Sequence, residues 1–430
     1  MRRLGSIVFA LAVACTVSAQ ISQQPDTTNL AEYMAVVDSM LRIEEQKEME
    51  REAAVLLEAQ QQLIAEQQRL LAENIRYLKI GDKFEFGPIT RLLMRNSVDG
   101  VRTRIGGRTT ANLHPQLFWQ GYVSRGFKSK QNYFSSQITY TFDKKQKRPD
   151  EYPQRSISWL AMRELGMPSE ILRKASDEGL LTSLRWTSVN QFVRYNRQQA
   201  SIEYEWNRHL KNRLQLTTNS LATVGNWERV EFHTADIGLQ TELRPTRHSV
   251  VSLSHRTGIK GFLKGDHDFN LSELSYTDKL PLWHGSLGID AQAAVQWNSV
   301  PFLLLCFPSA NMSYFSESST FSLINNYEFA NDRYLQLMLN WDFGGVFLSR
   351  INLLRQLGCH EFLGVRTLWG TVSDKNNYHI SQMDGTKPYL ECSAGICNIL
   401  GIMSIEYVRR LNYLNLPAAH KQGIRIGIAI

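Results

Sequence analysis

The 430-residue chain lacks the repeated apolar runs of a helical membrane protein: 43% of its residues are hydrophobic and 21% are charged. A helix that crosses a membrane needs about 20 consecutive apolar residues, so a protein with several membrane-spanning helices is excluded. A transmembrane β-barrel is not excluded, because polar residues that point into its lumen dilute the average. The net charge of +7 is dispersed, and we therefore predict no nucleic-acid partner.

Catalytic signatures are also missing, since no phosphate-binding GxxxxGK[ST], HExxH or GxSxG motif occurs. Cysteine is scarce, with no CxxC pair and no Cys/His spacing suited to zinc. Cys359, His360 and Glu361 are adjacent, and three successive residues of a strand cannot converge on one point. We therefore predict no enzyme, no catalytic residue, no cofactor and no metal site. We interpret the cysteines after residue 19 as small apolar residues that fill space; they are Cys306, Cys359, Cys392 and Cys397.

The first residues have the pattern of an export signal. Basic residues at Arg2 and Arg3 precede an apolar core over 7–17, and Val17-Ser18-Ala19 fits a small-residue cleavage site. We predict a signal peptide over residues 1–19; a buried N-terminal helix is the alternative.

A helical pattern extends over residues 29–78, which contain good helix formers and neither glycine nor proline. Apolar pairs recur every seven residues and form a stripe on one side of a helix. The polar residues Gln60, Gln67 and Asn74 interrupt the apolar interface that a coiled coil needs. The pattern therefore fits two alternatives equally well: a coiled coil, or a long helix packed on its own barrel or on a neighbouring protein. Gly81 would end it. The candidates for contact with a partner are Leu56, Leu63, Leu70 and Tyr77.

After about Val98 the hydrophobic period changes from 3.6 to 2. Runs such as those at 101–105, 202–206 and 335–343 alternate bulky apolar residues with polar ones. Each run has about 9 to 13 residues, and at ~3.3 Å per residue and ~45° tilt it spans a hydrocarbon layer of about 25 Å. Strands of soluble sandwiches are usually shorter, at about five or six residues. The pattern predicts a mainly β fold: a transmembrane antiparallel β-barrel preceded by a long N-terminal α-helix.

The strand number is predicted from the starting points of the alternating runs. Bacterial barrels have an even number of strands, and the runs are odd in number, so we expect a weak one, near 155 or 249, to be spurious. The prediction is about 14–16 strands. The runs begin near residues 100, 117, 132, 155, 187, 200, 212, 232, 249, 268, 285, 318, 333, 361, 388, 403 and 423.

The alternation also predicts which side chains face the lumen and which face lipid. Opposed charges inside the barrel could hold a plug, line a pore or solvate an inert interior. The apolar run at 300–307 is too short to span a membrane, and it could dip into the interface or pack across the barrel mouth. The lumen-facing candidates are Arg102, Arg104, Arg108, Glu203, Glu205, Asp236, Glu242, Asp290 and Asp342, and the lipid-facing candidates are Leu335, Leu337, Leu339 and Trp341.

Several stretches after residue 84 occur in the order found in a known group of proteins. They are Phe86–Pro88, Asn96–Thr109, Asn326–Tyr334, Phe347–Arg355, Pro388–Glu391, Gly395–Ile399 and Tyr407–Tyr413. The segment from about 84 to the end thereby resembles a Bacteroidota outer-membrane β-barrel family of unknown function, usually described as carboxypeptidase-regulatory-like-domain-containing proteins. The resemblance implies an outer-membrane barrel and no established activity. Family members typically begin with a small β-sandwich, and here the long helix stands in its place.

These observations divide the chain into a signal peptide (1–19), a periplasmic helical segment (20–80) and an outer-membrane β-barrel (81–430). We expect a protein of the cell outer membrane that serves envelope transport, assembly or a larger outer-membrane complex. The alternative is a helix-mediated partner-binding or oligomerisation protein whose barrel is only an anchor. The expected partners are outer-membrane lipid and, through the helix, periplasmic or outer-membrane proteins.

Overall fold

The computed structural model describes residues 35, 39, 42–43, 46–49, 76–167, 181, 183–186, 189–282, 284–317, 319–325, 327–376, 378, 383–416 and 419–428. The predicted signal peptide and the helix candidates Leu56, Leu63 and Leu70 lie outside these residues. The chain divides into two units, Met1–Leu71 and Ala72–Ile430. In the first unit the described residues are helical, and the longest described stretch is 46–49. No helix in the described part of the chain is long and apolar enough to cross a membrane.

The second unit is built on one sheet of 18 antiparallel strands. The strands are β1 (Leu78–Ile80), β2 (Phe84–Phe86), β3 (Leu93–Asn96), β4 (Gly100–Thr109), β5 (Leu117–Gly126), β6 (Asn132–Thr141), β7 (Arg155–Gly166), β8 (Gln191–Asn207), β9 (Leu210–Gly225), β10 (Glu231–Leu243), β11 (Val250–Gly258), β12 (Phe269–Pro281), β13 (Ser286–Gln296), β14 (Arg333–Asp342), β15 (His360–Thr371), β16 (Tyr389–Ile399), β17 (Met403–Arg410) and β18 (Gln422–Ile428). Helical turns are short: α1 (Asn352–Gln356) and the 3₁₀ turns Ile89–Arg91, Phe262–Lys264, Phe302–Leu304, Leu348–Arg350 and Asp374–Asn376.

Neighbours in sequence are neighbours in the sheet from β4 to β18. The other edge of β4 pairs with β3 and β2, and β1 pairs with β2. Within the described residues no register joins β18 to these first strands, so the sheet is not closed. We call the gap between β18 and β3 the seam.

The two ends of the sheet differ in their connections. The turns 208–209, 282–285 and 400–402 are short and lie at one end, here called the short-turn end. The opposite end carries longer connections, including 167–190, 297–332 and 372–388. Because β1 and β2 pair with each other and β2 pairs with the last residues of β4, the chain enters the sheet at the short-turn end.

The predicted count of 14–16 strands is wrong. The short strands β1–β3 carry too few residues to show a period. The runs near 155 and 249, which we expected to include a spurious one, are the full strands β7 and β11. The run near 200 is the second half of β8, and the run near 318 is not a strand, because Phe321, Leu323 and Ile324 are all completely buried and fill space inside the sheet.

The predicted helix does not reach Leu78. Leu78, Lys79 and Ile80 form β1 and pair with Phe86, Glu85 and Phe84, so a period of 2 replaces the seven-residue repeat here. Tyr77 lies in a bend and not on a helix. Gly81 has a positive φ of 66° and belongs to the tight turn between β1 and β2, where the absence of a Cβ makes that conformation accessible.

Side chains on the two faces of the sheet differ in exposure. On β4, Val101 is 50% exposed and its neighbour Arg102 only 3%; on β14, Leu335 is 47% exposed and Gln336 is fully buried. The outer face therefore presents many large apolar side chains to the surroundings. Exposed apolar side chains along one face of a sheet are expected where a protein meets lipid or a partner.

The inner face is covered by the connection between β13 and β14, residues 297–332, which we call the plug segment. Its Leu304, Phe321 and Phe329 belong to one buried cluster with Val193 of β8 and Leu271 of β12. Its ends meet, because the Gln296 N–H donates to the Asp332 carbonyl at 2.6 Å. The apolar run 300–307 is part of this filling and is packed against the inner face of the sheet.

Candidate functional site in the plugged interior

The plug segment is held by a buried carboxylate on the inner face of β16. Glu391 is 0% exposed, and its two oxygens accept hydrogen bonds from the backbone N–H groups of Ser322 (2.9 Å) and Leu323 (3.1 Å). The Tyr389 hydroxyl donates a third bond at 2.8 Å. Both oxygens are therefore used as acceptors, and a charged acceptor roughly doubles the strength of such bonds.

Glu391 belongs to a group of five charged side chains that we call the anchor cluster: Arg366, Glu391, Glu406, Arg410 and Arg425. Arg366 reaches Glu391 at 3.4 Å and Glu406 at 3.2 Å, and Arg425 lies 3.9 Å from Glu406. These residues come from β15 to β18, where an inner-face position of each strand faces the plug segment.

The plug segment supplies the missing partners of this cluster. Arg425 donates to the Ser322 hydroxyl at 2.5 Å and to the Phe315 carbonyl at 2.8 Å. Arg410 pairs with Glu328 at 2.6 Å. Three arginines therefore face three carboxylates, one of which belongs to the plug segment. Buried charges that balance and are hydrogen-bonded fix one position of the segment, because removing either sign leaves the other without compensation.

The end of the plug segment is fixed separately. Asp332 accepts hydrogen bonds from the backbone N–H and the hydroxyl of Ser373 and from the Asn376 side chain. Burial alone would raise the pKa of Asp332, but these bonds to the charged form hold its pKa below the usual value. The carboxylate thereby ties the plug segment to the connection between β15 and β16.

Of the predicted lumen-facing arginines of β4, Arg102 is buried and Arg104 and Arg108 are half-buried. Arg102 pairs with Glu164 of β7 at 2.5 Å and lies over the Tyr133 ring at 4.1 Å. Arg104 stacks on the Tyr122 ring at 3.3 Å. Arg108 pairs with Glu85 of β2 at 2.6 Å and covers the ring of Tyr77, a predicted partner-helix residue.

The remaining lumen-facing candidates are spread along the sheet and do not meet in one site. Glu205 and Glu242 share Arg244 (3.0 and 2.7 Å), and Glu242 also pairs with Lys211 (3.3 Å). The others have separate partners: Glu203 with Arg213 (2.5 Å), Asp236 with Arg256 (2.8 Å), Asp290 with the Ser319 hydroxyl, and Asp342 with His360 (3.3 Å). Of these, Asp290 touches the plug segment.

The lipid-facing candidates lie on the face of β14 opposite Tyr334, Gln336 and Met338, which are buried. Leu335 and Trp341 are exposed, and Leu337 and Leu339 are half-buried. Contact with lipid stays a prediction.

Sequence reasoning missed the anchor cluster. Glu391 and Arg410 lie in stretches that we used for the family resemblance, and Arg425 stands alone between Ile424 and Ile426. The signal available was a charge at an inner position of an otherwise apolar strand. Such a charge predicts which face of the sheet a side chain occupies, but not which residue it contacts, because that contact depends on strand register.

Two segments bridge part of the seam, and we call them the seam segments: 183–186 and 312–316. The Ile426 N–H donates to the Tyr314 carbonyl and the Ser316 N–H donates to the Ile426 carbonyl, both at 2.8 Å. The plug segment therefore pairs with the edge of β18 that faces away from β17. The Tyr314 N–H in turn donates to the Leu184 carbonyl at 3.0 Å.

The seam segment 183–186 contacts the first strands. The Arg95 N–H of β3 donates to the Ser183 hydroxyl at 3.3 Å. On the plug side, Trp186 contacts the rings of Tyr314 and His420. β18 and β3 are therefore linked through side-chain and loop contacts, and not through the direct strand pairing that would close the sheet.

One group of potential metal ligands occurs among the described residues, formed by Asp342, His360 and Cys397. It lies at the short-turn end, away from the anchor cluster.

Comparisons with known proteins place this geometry in a wider class. BamA from Haemophilus ducreyi lacking POTRA domains 1–3 is similar in structure, with a TM-score of 0.53 and 10% identity over 80% of this chain and 70% of that chain. CdiB from Escherichia coli gives a TM-score of 0.47 at 10% identity, over 81% of this chain and 62% of that one. CdiB from Acinetobacter baumannii gives 0.41 at 13% identity, over 78% and 58%. At these identities the likeness, carried by BamA, concerns the fold alone.

No curated protein sequence matches the chain. Residues 240–396 match a family described as "Family of unknown function (DUF5686) C-terminal domain". That description mentions neither Bacteroidota nor a carboxypeptidase-regulatory-like domain, so those parts of the resemblance stay predictions. Residues 240–396, which run from β10 to β16 and include the plug segment, are thus similar to the C-terminal domain of a family of unknown function, and the fold resembles outer-membrane β-barrels.

Proposed function

We propose that this chain is an integral outer-membrane β-barrel that acts in envelope transport or assembly, alone or in a larger complex, and that it does so with its interior closed at rest. The observation that carries the proposal is the plug segment, which packs on the inner face of the sheet and pairs with the edge of β18. An interior filled in this way does not suit a permanently open diffusion channel.

The connections support an orientation. Outer-membrane barrels have short periplasmic turns and longer extracellular loops, so the short-turn end would face the periplasm. The plug segment then enters from the extracellular end. The chain then enters the sheet, at β1, on the periplasmic side.

The seam suggests how such a barrel would work on another molecule. An edge strand presents a row of backbone N–H and C=O groups that an extended segment can pair with. Tyr314 and Ser316 occupy these groups at Ile426. Displacing the plug segment would therefore open the interior and expose the edge of β18 in the same movement.

A disulfide across the seam tests this function. Phe315 and Ile426 are bridge partners, so Phe315→Cys with Ile426→Cys places two thiols at a separation that a disulfide can span. In a strain lacking the chromosomal gene, we expect the unmodified chain to restore outer-membrane protein content and antibiotic resistance. The oxidised double variant should fail to restore them, and reductant should recover them.

The matched control joins strands that stay paired: Tyr407→Cys with Ile424→Cys, which are partners in the β17–β18 register. This staple should leave function unchanged. An oxidised Phe315–Ile426 staple that works as well as the unmodified chain would contradict seam opening. A gene deletion that leaves outer-membrane composition unaltered would contradict the role in transport or assembly.

The alternative role, partner binding through the N-terminal segment, has one supporting contact. Arg108 covers Tyr77 just before β1, so the chain enters the sheet at a fixed point. Deleting residues 29–71 keeps β1 and this contact. If the segment binds partners, co-purifying envelope proteins should disappear while the barrel still inserts; an unchanged partner set would refute the idea.

A further inference from the structure

Three strands bring Asp342, His360 and Cys397 together on the inner face at the short-turn end. Asp342 ends β14, His360 begins β15, and Cys397 pairs directly with His360 in the β15–β16 register. One ligand atom from each lies within 4.8 Å of the other two. His360 Nδ1 is 3.3 Å and 3.4 Å from the two carboxylate oxygens of Asp342.

We propose that Asp342, His360 and Cys397 bind a divalent transition-metal ion, with zinc as the best fit. Thiolate, imidazole and carboxylate are all zinc ligands, and three protein ligands leave the fourth tetrahedral position for water. Calcium and magnesium prefer sites made of oxygen atoms only, and a thiolate disfavours them. On binding, the Cys397 thiol loses its proton to solvent and the sulfur coordinates the metal.

The ligands are held in place before any metal binds. The Gly344 N–H donates to Asp342 Oδ1 at 2.8 Å, and the His360 ring packs against Gly345, where an added Cβ would come within 3.3 Å of it. Glu361 accepts the N–H groups of Phe347 (2.9 Å) and Leu348 (3.1 Å), which fixes the turn beside the site. Groups that orient ligands in this way strengthen metal binding.

The site is also accessible. The His360 and Asp342 side chains are 33% and 36% exposed, so a cation can reach them from the short-turn end. Cys359 and Glu361, the sequence neighbours of His360, are not part of the group. Sequence reasoning set aside the triplet 359–361, and the ligands that converge come instead from separate strands.

Cobalt binding to the purified full-length chain in detergent tests the proposal. Tetrahedral Co²⁺ bound to a thiolate gives a charge-transfer absorption that reports the sulfur directly. We expect one Co²⁺ per chain, displaced by Zn²⁺. Cys397→Ser should abolish the thiolate band, and His360→Ala should weaken Zn²⁺ affinity by at least about 10-fold, since even indirect perturbation of a metal site costs that much.

Cys392→Ser is the matched control, because Cys392 is on the same strand at an alternate position that faces away, and it should retain the band. Heat-modifiable gel migration verifies that each variant is folded. If Cys397→Ser does not fold, the affinity of His360→Ala decides the matter. Two outcomes would show that Asp342, His360 and Cys397 form only a hydrogen-bonded cluster. In one, the wild-type chain has no thiolate band; in the other, Cys392→Ser loses the band as completely as Cys397→Ser does.

Discussion

Replacing residues 299–330 by a short Gly-Ser linker is expected to turn a chain with a filled interior into a conducting one. The exchange is sterically feasible because Gln296 and Asp332 are already hydrogen-bonded at 2.6 Å, so a tight connection can join β13 to β14. A sheet of this many strands encloses a space that water fills once side chains and loops are removed. In planar bilayers, the wild-type chain should give rare, small currents, and the shortened chain a persistent open state.

Deleting a different connection at the same end of the sheet is the control, because it tests whether the loss of any loop there changes the current. Residues 261–264, at the same end of the sheet, form an exposed turn between β11 and β12. Removing them should leave the bilayer current at the wild-type level. Heat-modifiable migration of the outer-membrane fraction confirms insertion. A shortened chain that inserts and remains silent would mean that the plug segment is not what closes the interior, and equal currents from the wild type would contradict a closed resting state.

The features predicted from sequence are those that a local period encodes. Alternation of Val101 with Arg102, or of Leu335 with Gln336, is visible in the sequence because a strand sends successive side chains to opposite faces. The exposures of these residues follow that alternation. The alternation marked a run at each strand from β4 to β18. It did not identify the true strand number, because a run that is a real strand (β7 or β11) was expected to be spurious, the run near 318 is not a strand, and the boundary between the two runs inside β8 was not real.

The plug segment could not be found in this way. Leu304 lies in a single 3₁₀ turn and Phe321 and Phe329 lie outside any helix or strand, and all three are completely buried. Neither a single turn nor irregular structure has a period to detect. The composition of the apolar run 300–307 did not predict where the run packs, because composition does not distinguish a membrane interface from the inside of a sheet.

The anchor cluster and the grouping of Asp342, His360 and Cys397 could not be predicted for a different reason. Arg366 and Glu391 face each other because β15 and β16 pair in one register, and shifting that register by one residue would send one of them to the other face. His360 and Cys397 meet through the same register. Such partners are set by long-range pairing, which one sequence does not reveal.

The anchor cluster gives the second large effect. Glu391→Gln preserves shape but replaces one acceptor oxygen by an N–H₂ group. Because the two oxygens accept the Ser322 and Leu323 N–H groups separately, either orientation of the amide directs a donor at a donor. The substitution also leaves three arginines facing two carboxylates. We expect a loss of about 3 kcal/mol or more in the free energy of unfolding, as for other broken buried pairs.

Urea titration in detergent, followed by heat-modifiable migration, measures this loss. Glu203→Gln is the control, since it breaks an ion pair with Arg213 whose side chain is 35% exposed, and it should cost less than about 1 kcal/mol. Equal losses in the two variants would contradict the special role of Glu391. If the plug segment is released, the Glu391→Gln variant should also conduct more than the control.

A second substitution separates the lost hydrogen bonds from the lost charge. Arg366→Met in the Glu391→Gln background restores two arginines against two carboxylates, because Arg366 is the cation that contacts Glu391 and Glu406. The double variant should then be destabilised by less than the sum of the single variants, since each single change leaves a buried charge uncompensated. Additive losses would indicate that the backbone N–H groups of Ser322 and Leu323, and not charge balance, are what Glu391 contributes to holding the plug segment.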